Sequence, residues 1–344
     1  MRLLFFGTPE FAVPSLQVLL DRGEDVAAVV CQPDRPSGRG QKLTAPPVKV
    51  LAAQRGLPVL QPEKLRTPEV LAALAAYAPE LIVVAAYGRI LSADVLHLPR
   101  RGCINVHASL LPRHRGAAPI QWAILRGDAV TGVTIMQMDE GMDTGAMLLR
   151  RSTPIGAGET YGELQERLSH LGAEALAAGL DAMRRGELVP APQDAAAATM
   201  APKIEKEQGR IDWTGGAVDI ERQVRAFNPW PSAYTSLGGD ILKVHRATVV
   251  PDSTEDGRSS PTSAAKSEAK SVANPRSTPR GSATGALSAA RGAIGSIATA
   301  AEALVVVCGD RLLRLDEVQL SGKQRLTGVE FARGARLKPG EQLG

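Results

Sequence analysis

Apolar residues in the first half of the chain fall in short unbroken runs. Residues 3–6 (LLFF) end at Gly7, and further runs occupy 26–31, 81–86 (LIVVAA) and 102–107. Such runs, without strict alternation, fit strands buried on both faces. Between them, residues 11–20, 46–54 and 69–77 carry helical patterns rich in Ala, Val and Leu. Two more strand-like runs lie at 132–138 (GVTIMQM) and 146–150, and a long helix is predicted from about 160 to 185, entered through Gly158-Glu159-Thr160. Strands alternating with helices predict an α/β domain built on a parallel sheet with helices on both faces.

The pattern then breaks. Residues 190–199 (PAPQDAAAAT) have no amphipathic period and read as a linker. Short β-like runs follow at 234–237, 241–245, 303–308 and 311–315. The expected organisation is an α/β domain over 1–189, a linker over 190–203 and a smaller β-rich domain over 204–344. Inside the latter, residues 251–292 hold one Val, one Leu, no Ile and no aromatic. A segment that can bury so little apolar surface cannot offset its ordering entropy, so a disordered insertion is expected there.

Composition narrows the class. The chain has 344 residues, 44% of them apolar, but aromatics are only 3%, so its cores must be mainly aliphatic. A formal charge of +4 is compatible with an anionic partner without requiring one. Cys31, Cys103 and Cys308 are widely spaced, odd in number and outside any CxxC, which predicts neither a disulfide framework nor a zinc site. A reducing, cytoplasmic setting fits that usage. Gly7, Pro9 and Glu10 interrupt the opening apolar run too early for a signal peptide. No stretch holds the roughly 18 uninterrupted apolar residues of a membrane span.

The turn after the first strand reads Gly7-Thr8-Pro9-Glu10-Phe11. It lacks the later glycines of a dinucleotide-binding turn, and Pro9 removes a backbone donor. The richest stretch is 102–116, GCINVHASLLPRHRG. Asn105 and His107 are two apart and point to one side if they end a strand. An amide donor beside an imidazole suits a reaction that builds negative charge on a carbonyl oxygen, because both can donate to it and the imidazole can move a proton. Taken alone, the pair reads rather as a polar strand end with a satisfied histidine. Asp143, in Gly141-Met142-Asp143-Thr144-Gly145, is either a turn residue bonded to its own backbone or a carboxylate that orients His107 and supports its cationic form. Ser109 and Cys103 have no evident activating partner and read as structural. Trp213 and Trp230 read as packing residues.

These stretches together resemble the folate-dependent formyltransferases. The resemblance rests on INVHASLLP, the following RHRGAAPIQWAI and VTIMQMDEGMDTG, and it implies an enzyme whose catalytic set is Asn105, His107 and Asp143. It also implies a Rossmann-like first domain, an OB-like second domain and 10-formyltetrahydrofolate as formyl donor, with no metal. Tyr87, Arg89, Ile90 and Leu91 resemble the loop lining the pterin pocket. Ser109, Leu110, Leu111 and Pro112 resemble the segment against the folate carrier. The opening FFGTPEFAVPSL, residues 32–52, Ile211-Asp212-Trp213 and residues 225–231 (RAFNPWP) are similar to the branch of that family that formylates methionine on initiator tRNA, in translation initiation. The likeness spans nearly the whole chain and departs over 251–292.

On that resemblance Arg35, Arg39 and Lys42, set among Gly38, Gly40 and Pro36, are expected to contact tRNA. Without it they read as a solvated loop, though a flexible cationic loop can follow a phosphate backbone. Lys203, Lys206, Arg210, Lys243, Arg246, Lys323, Arg325 and Arg333 could extend that surface, or be ordinary surface charge. The partners expected are initiator Met-tRNA and the reduced folate, with no membrane and no obligatory protein partner. The alternative substrate is a small amine such as an amino-sugar nucleotide. A different class, a non-catalytic RNA-binding protein on an old enzyme scaffold, is opposed by the intact Asn105, His107 and Asp143 set.

Overall fold

The computed structural model describes residues 1–37, 42–251 and 292–344. Arg39 and the bulk of the 251–292 insertion therefore lie outside the described residues. The described chain forms two compact units, one of residues 1–208 with 225–231 and one of residues 209–224 with 232–344.

The first unit contains β1 (Arg2–Gly7), α1 (Val13–Asp21), β2 (Asp25–Val30), β3 (Arg35–Ser37), β4 (Lys42–Thr44), α2 (Pro47–Gln54), β5 (Val59–Leu60), α3 (Pro68–Ala75) and β6 (Leu81–Ala85). It continues with α4 (Ala93–Leu96), β7 (Cys103–His107), α5 (Pro119–Leu125), β8 (Val130–Gln137), β9 (Met147–Pro154) and α6 (Tyr161–Arg185). Seven strands form one sheet in the order β5-β2-β1-β6-β7-β8-β9. Alternate residues of each central strand feed opposite faces. Leu3, Phe5, Leu81 and Val83 join one core, and Leu4, Phe6, Ile82 and Val84 join another. That is the burial on both faces that the unbroken apolar runs predict.

The strands from β5 to β7 run parallel, but β8 and β9 run antiparallel to their neighbours. The expectation of a parallel sheet is corrected at this edge. Apolar runs report burial, not direction, and a short connection can only return a strand antiparallel. The nine residues 138–146 that join β8 to β9 are such a connection.

Helix α6 begins with a capping box. Thr160 accepts from the amide of Glu163, whose carboxylate accepts from the Thr160 amide at 2.8 Å. Leu164, Leu168, Leu176 and Leu180 recur on one helical stripe and are fully buried. The helix lies against α1 and β8.

The second unit contains most of α7 (Ala217–Ala226) and then β10 (Ala233–Leu237), β11 (Asp240–Val249), β12 (Ile297–Thr299), β13 (Val305–Val307), β14 (Leu312–Leu320), β15 (Leu326–Thr327) and α8 (Gly328–Ala335). Its strands pair antiparallel in the order β10-β11-β14-β13-β12, with β15 on β14. Trp213 is buried in this core and its indole N–H donates to Thr235 Oγ1 at 3.1 Å. Trp230, by contrast, is half exposed in the first unit.

Candidate active site

The order of the first sheet places β2 on one side of β1 and β6 on the other. The direction in which the strands are wound reverses there, and ligands of doubly wound sheets bind outside the carboxyl ends of strands at such a point. The segments after β1, β6 and β7 converge at that edge. Thr8, just past β1, donates from Oγ1 to the carbonyl of Tyr87 at 3.0 Å, tying the first two segments together.

Asn105 and His107 lie on β7. Asn105 is opposite Val84 of β6 and Met136 of β8, and His107 is opposite Thr134 of β8. Two residues apart on one strand, they share a face of the pleat, as the spacing predicts. His107 is buried, and its Nε2 lies 3.0 Å from the carbonyl oxygen of His114. A carbonyl can only accept, so Nε2 carries the proton in the neutral ring. Nδ1 then presents its lone pair toward Asp143, whose Oδ2 is 3.6 Å away. That gap is longer than a hydrogen bond and short enough for strong charge interaction once the ring is protonated.

His114 is itself fixed. Its amide donates to Thr199 Oγ1 at 2.9 Å, and its ring Nε2 is 2.6 Å from Asp128 Oδ2. Burial holds its pKa below the ordinary histidine value, although Asp128 pulls the other way. The ring is therefore a neutral donor to Asp128, and its buried Nδ1 has no partner among the described residues.

Asp143 sits in the β8–β9 connection with a φ of 54°. Asp and Asn tolerate that left-handed conformation better than most residues, which is one reason for Asp at a turn. Its carboxylate is aimed by the backbone: the amide of Gly116 donates to Oδ2 at 2.8 Å. The Gly145 that closes the motif is also demanded by space, because a Cβ there would stand 1.8 Å from the carbonyl oxygen of Gln137. Asp139 holds the other flank, accepting from Thr144 Oγ1 at 2.7 Å and from the Gly141 amide at 3.1 Å.

The stretch expected as a linker is a strap across this site. The Arg115 amide donates to the Thr199 carbonyl at 2.8 Å, the Ala201 amide to the Arg115 carbonyl at 2.7 Å, and the Ala118 amide to the Ala201 carbonyl at 3.1 Å. The Met147 amide donates to the Ala191 carbonyl at 2.8 Å and receives the reverse bond at 2.9 Å. Gln193 donates from Nε2 to the carbonyls of Asp143 and Gly145. The sequence reading missed Arg115, Gly116, Gln193 and Thr199. Their bonds are largely to backbone, which leaves no periodic signal, although RHRG lay inside the stretch already singled out.

The other expected site residues lie on the segments that follow β6 and β7 and on the β3–β4 hairpin. Tyr87 turns its ring into the core, edge-on to Phe6 with centroids 5.2 Å apart, and burial pushes its phenol up to about 12. Its carbonyl is taken by Thr8 and by Gln32 Nε2. Arg89 donates to the carbonyls of Pro62 and Glu63, and Leu91 is buried. Ile90 is 72% exposed on the same loop, an apolar surface that a flat ring could cover. Ser109 Oγ donates to the Arg113 carbonyl at 2.6 Å within its own turn. Leu111 is fully buried, whereas Leu110 and Pro112 are partly exposed. The Cys103 thiol is pushed up to about 12 by burial, leaving it without nucleophilic character. Arg35 and Lys42 lie near the ends of the β3–β4 hairpin, both exposed, with Ser37 opposite Lys42. Asp34, just before the hairpin, is paired with Lys49 at 2.8 Å. No described helix is long and apolar enough to cross a membrane.

The formyl transferase family model matches residues 1–180, and the model of the formyl transferase C-terminal domain matches residues 203–336. A methionyl-tRNA formyltransferase of Geobacter metallireducens is 46% identical over 344 residues, covering 100% of this chain and 99% of that one. The methionyl-tRNA formyltransferase of Citrifermentans bemidjiense is 48% identical over 344 residues, covering 100% and 96%. Among solved structures, the sugar 3N-formyl transferase WlaRD, crystallised with dTDP and 5-N-formyl-THF, superimposes with a TM-score of 0.61 at 15% identity, covering 94% of this chain and 99% of its own. At that identity the likeness is one of fold.

Proposed function

The chain belongs to the formyl transferase family, and from that premise we propose how its residues move a formyl group from 10-formyltetrahydrofolate to the amino group of methionine on initiator tRNA. It is an enzyme of the methionyl-tRNA formyltransferase type, a formyl-group transferase acting in translation initiation. Full-length similarity to tRNA-specific relatives, together with the cationic β3–β4 hairpin, favours tRNA over a small amino sugar as the acceptor.

The observation that carries the mechanism is the placement of His107 Nδ1 facing the Asp143 carboxylate at 3.6 Å, with Nε2 already committed to the His114 carbonyl. When bound, the folate supplies the formyl carbon. Ile90 and the loop after β6 offer an apolar surface for its flat ring, with Leu110 and Pro112 beside the next segment. The neutral α-amine adds to that carbon, and negative charge builds on the formyl oxygen. The side chain of Asn105 makes no hydrogen bond to another described residue, so its NH₂ is free to donate to that oxygen. The attacking nitrogen must lose one proton. His107 Nδ1 takes it, and the resulting imidazolium is stabilised by Asp143 and helps hold the oxyanion. The same proton is then given to the departing folate nitrogen, so one proton leaves the amine and one reaches the leaving group. Arg35 and Lys42, with Arg39, contact the tRNA backbone, and the reaction belongs with translation in the cytoplasm.

The test is direct: formylation of initiator Met-tRNA from 10-formyltetrahydrofolate, beside a panel of amino-sugar nucleotides. Turnover confined to Met-tRNA is expected. Turnover of an amino sugar with none on Met-tRNA would overturn the assignment of substrate.

A further inference from the structure

The amide of Gln193 makes four polar contacts, and all of them bear on Asp143. Its Nε2 donates to the Asp143 carbonyl at 2.8 Å and to the Gly145 carbonyl at 2.7 Å. Its Oε1 accepts from Arg115 Nε at 3.0 Å and from Nη2 at 2.7 Å. Arg115 precedes Gly116, whose amide holds the Asp143 carboxylate at 2.8 Å. The Arg115 backbone is fixed on both sides, to Thr199 and to Ala201. Asp143 is thus gripped twice, at its carbonyl by Gln193 and at its carboxylate by Gly116, and Arg115 joins the two grips.

A residue at a φ of 54° holds that conformation only where its surroundings over-determine it. Bonds to the carbonyls of residues 143 and 145 fix the 143–144 and 145–146 peptide planes, which bracket Thr144 and Gly145. We propose that Gln193, anchored by Arg115, is a positioning residue that keeps the Asp143 carboxylate at its working distance from His107. The inference rests on the reading of Asp143 as part of the catalytic set. It assigns a catalytic purpose to the strap, which otherwise looks like a simple connection between domains.

The chemistry is specific to an amide. The site needs two N–H donors for two carbonyls and one oxygen for a guanidinium, and glutamine supplies these in one planar group. Glutamate at 193 would pair with Arg115 more strongly but would turn a carboxylate toward two carbonyl oxygens. Gln193→Glu therefore separates loss of the loop contacts from loss of the strap's anchor.

The experiment compares Gln193→Glu, Asp143→Asn and the double variant in the full-length enzyme, measuring kcat, both KM values and thermal unfolding. A misplacement of about 1 Å can cost on the order of 10²-fold, so Gln193→Glu should lower kcat by roughly 10- to 100-fold with KM for Met-tRNA within about twofold. The double variant should be no slower than Asp143→Asn alone, because both changes act through one carboxylate. Hydrogen exchange at the Gly116 amide should speed up in Gln193→Glu, a readout independent of turnover. Should Gln193→Glu fail to fold, Arg115→Lys removes the fork but keeps the charge, and it should show the same kcat loss at unchanged KM in milder form. Wild-type kcat in Gln193→Glu beside a slow Asp143→Asn would overturn the inference alone, as would fully additive losses in the double variant. Wild-type kcat in Asp143→Asn would instead remove the catalytic reading of Asp143 on which the inference stands.

Discussion

His107 gives one ring nitrogen to the carbonyl of His114, 3.0 Å away, and leaves the other facing the Asp143 carboxylate at 3.6 Å. That single backbone contact decides the tautomer and hence which nitrogen faces Asp143. It also makes the conformation of residue 114, at a φ of 59°, part of the active site although its own side chain faces Asp128.

Asn105→Ala should lower kcat by about 10²- to 10³-fold while leaving KM for Met-tRNA nearly unchanged, the pattern for loss of one oxyanion donor. Asn105 makes no side-chain bond to a described residue, so stability should hold. Steady-state kinetics beside a melting curve checks both parts; a wild-type kcat would remove Asn105 from the mechanism.

Asp143→Asn keeps the shape of the side chain and an oxygen for the Gly116 amide. Only the charge that supports the His107 cation is lost. A drop in kcat and a changed pH–rate curve are expected. Retention of the wild-type curve would show that the carboxylate takes no part in the proton movement.

Gly116→Ala should be costly for reasons of space. Gly116 has a φ of 120°, and a Cβ there would stand 2.7 Å from the backbone oxygen of Ala201. Either the strap or residue 116 must move, and each movement displaces the donor to Asp143. A loss of about 1–3 kcal/mol of stability, together with reduced kcat, is predicted. An unchanged melting temperature with full activity would contradict the close approach.

His114 should make the fold acid-sensitive. Its folded pKa is lowered by burial, despite Asp128 and with Arg113 and Arg126 acting in the same direction as burial. As pH falls through about 6.5, the unfolded chain takes up a proton that the folded chain refuses, so stability declines. His245 is lowered in the same sense by burial and contributes its own share. Thermal unfolding from pH 7.5 to pH 5 should show a shallower decline in His114→Gln than in wild type. Equal slopes would assign the effect elsewhere.

Arg35→Ala with Lys42→Ala should weaken Met-tRNA binding and make its salt dependence shallower, since fewer counterions are released. Folate affinity should stay put. Binding titrations across a salt series test this, and an unchanged slope would return the hairpin to ordinary solvated surface.

Much of the first unit was legible because burial on both faces writes unbroken apolar runs: 81–86 maps onto β6 and 102–107 onto β7. The capped start of α6 was equally plain in Thr160. Strand direction was not legible, so β8 and β9 came as antiparallel strands. Helix α8 was missed although Thr327 and Glu330 form a capping box with the required spacing. In the site, Asn105, His107 and Asp143 were legible as a set only through the resemblance of the stretches that carry them, since each alone also reads as an ordinary strand-end or turn residue. Tyr87 was expected at the pocket only through the resemblance of its loop, and that its ring packs edge-on against Phe6 in the core was not legible from its neighbours in sequence. Gln193 was invisible because a residue that serves backbone carbonyls leaves no pattern in the sequence around it.

The strap has a consequence for the order in which the chain is made. Asn105, His107 and Asp143 are all synthesised, and the whole first sheet can pair, before Gln193 exists. Until Ala201 has emerged, the nascent protein carries its reactive side chains without the brace that aims one of them. If Gln193 braces Asp143 as proposed, competence comes only after the sheet is complete, with a dozen residues that add no strand and almost no buried surface. A fragment cut at residue 189, four residues past the end of α6, would keep its sheet and lose that brace.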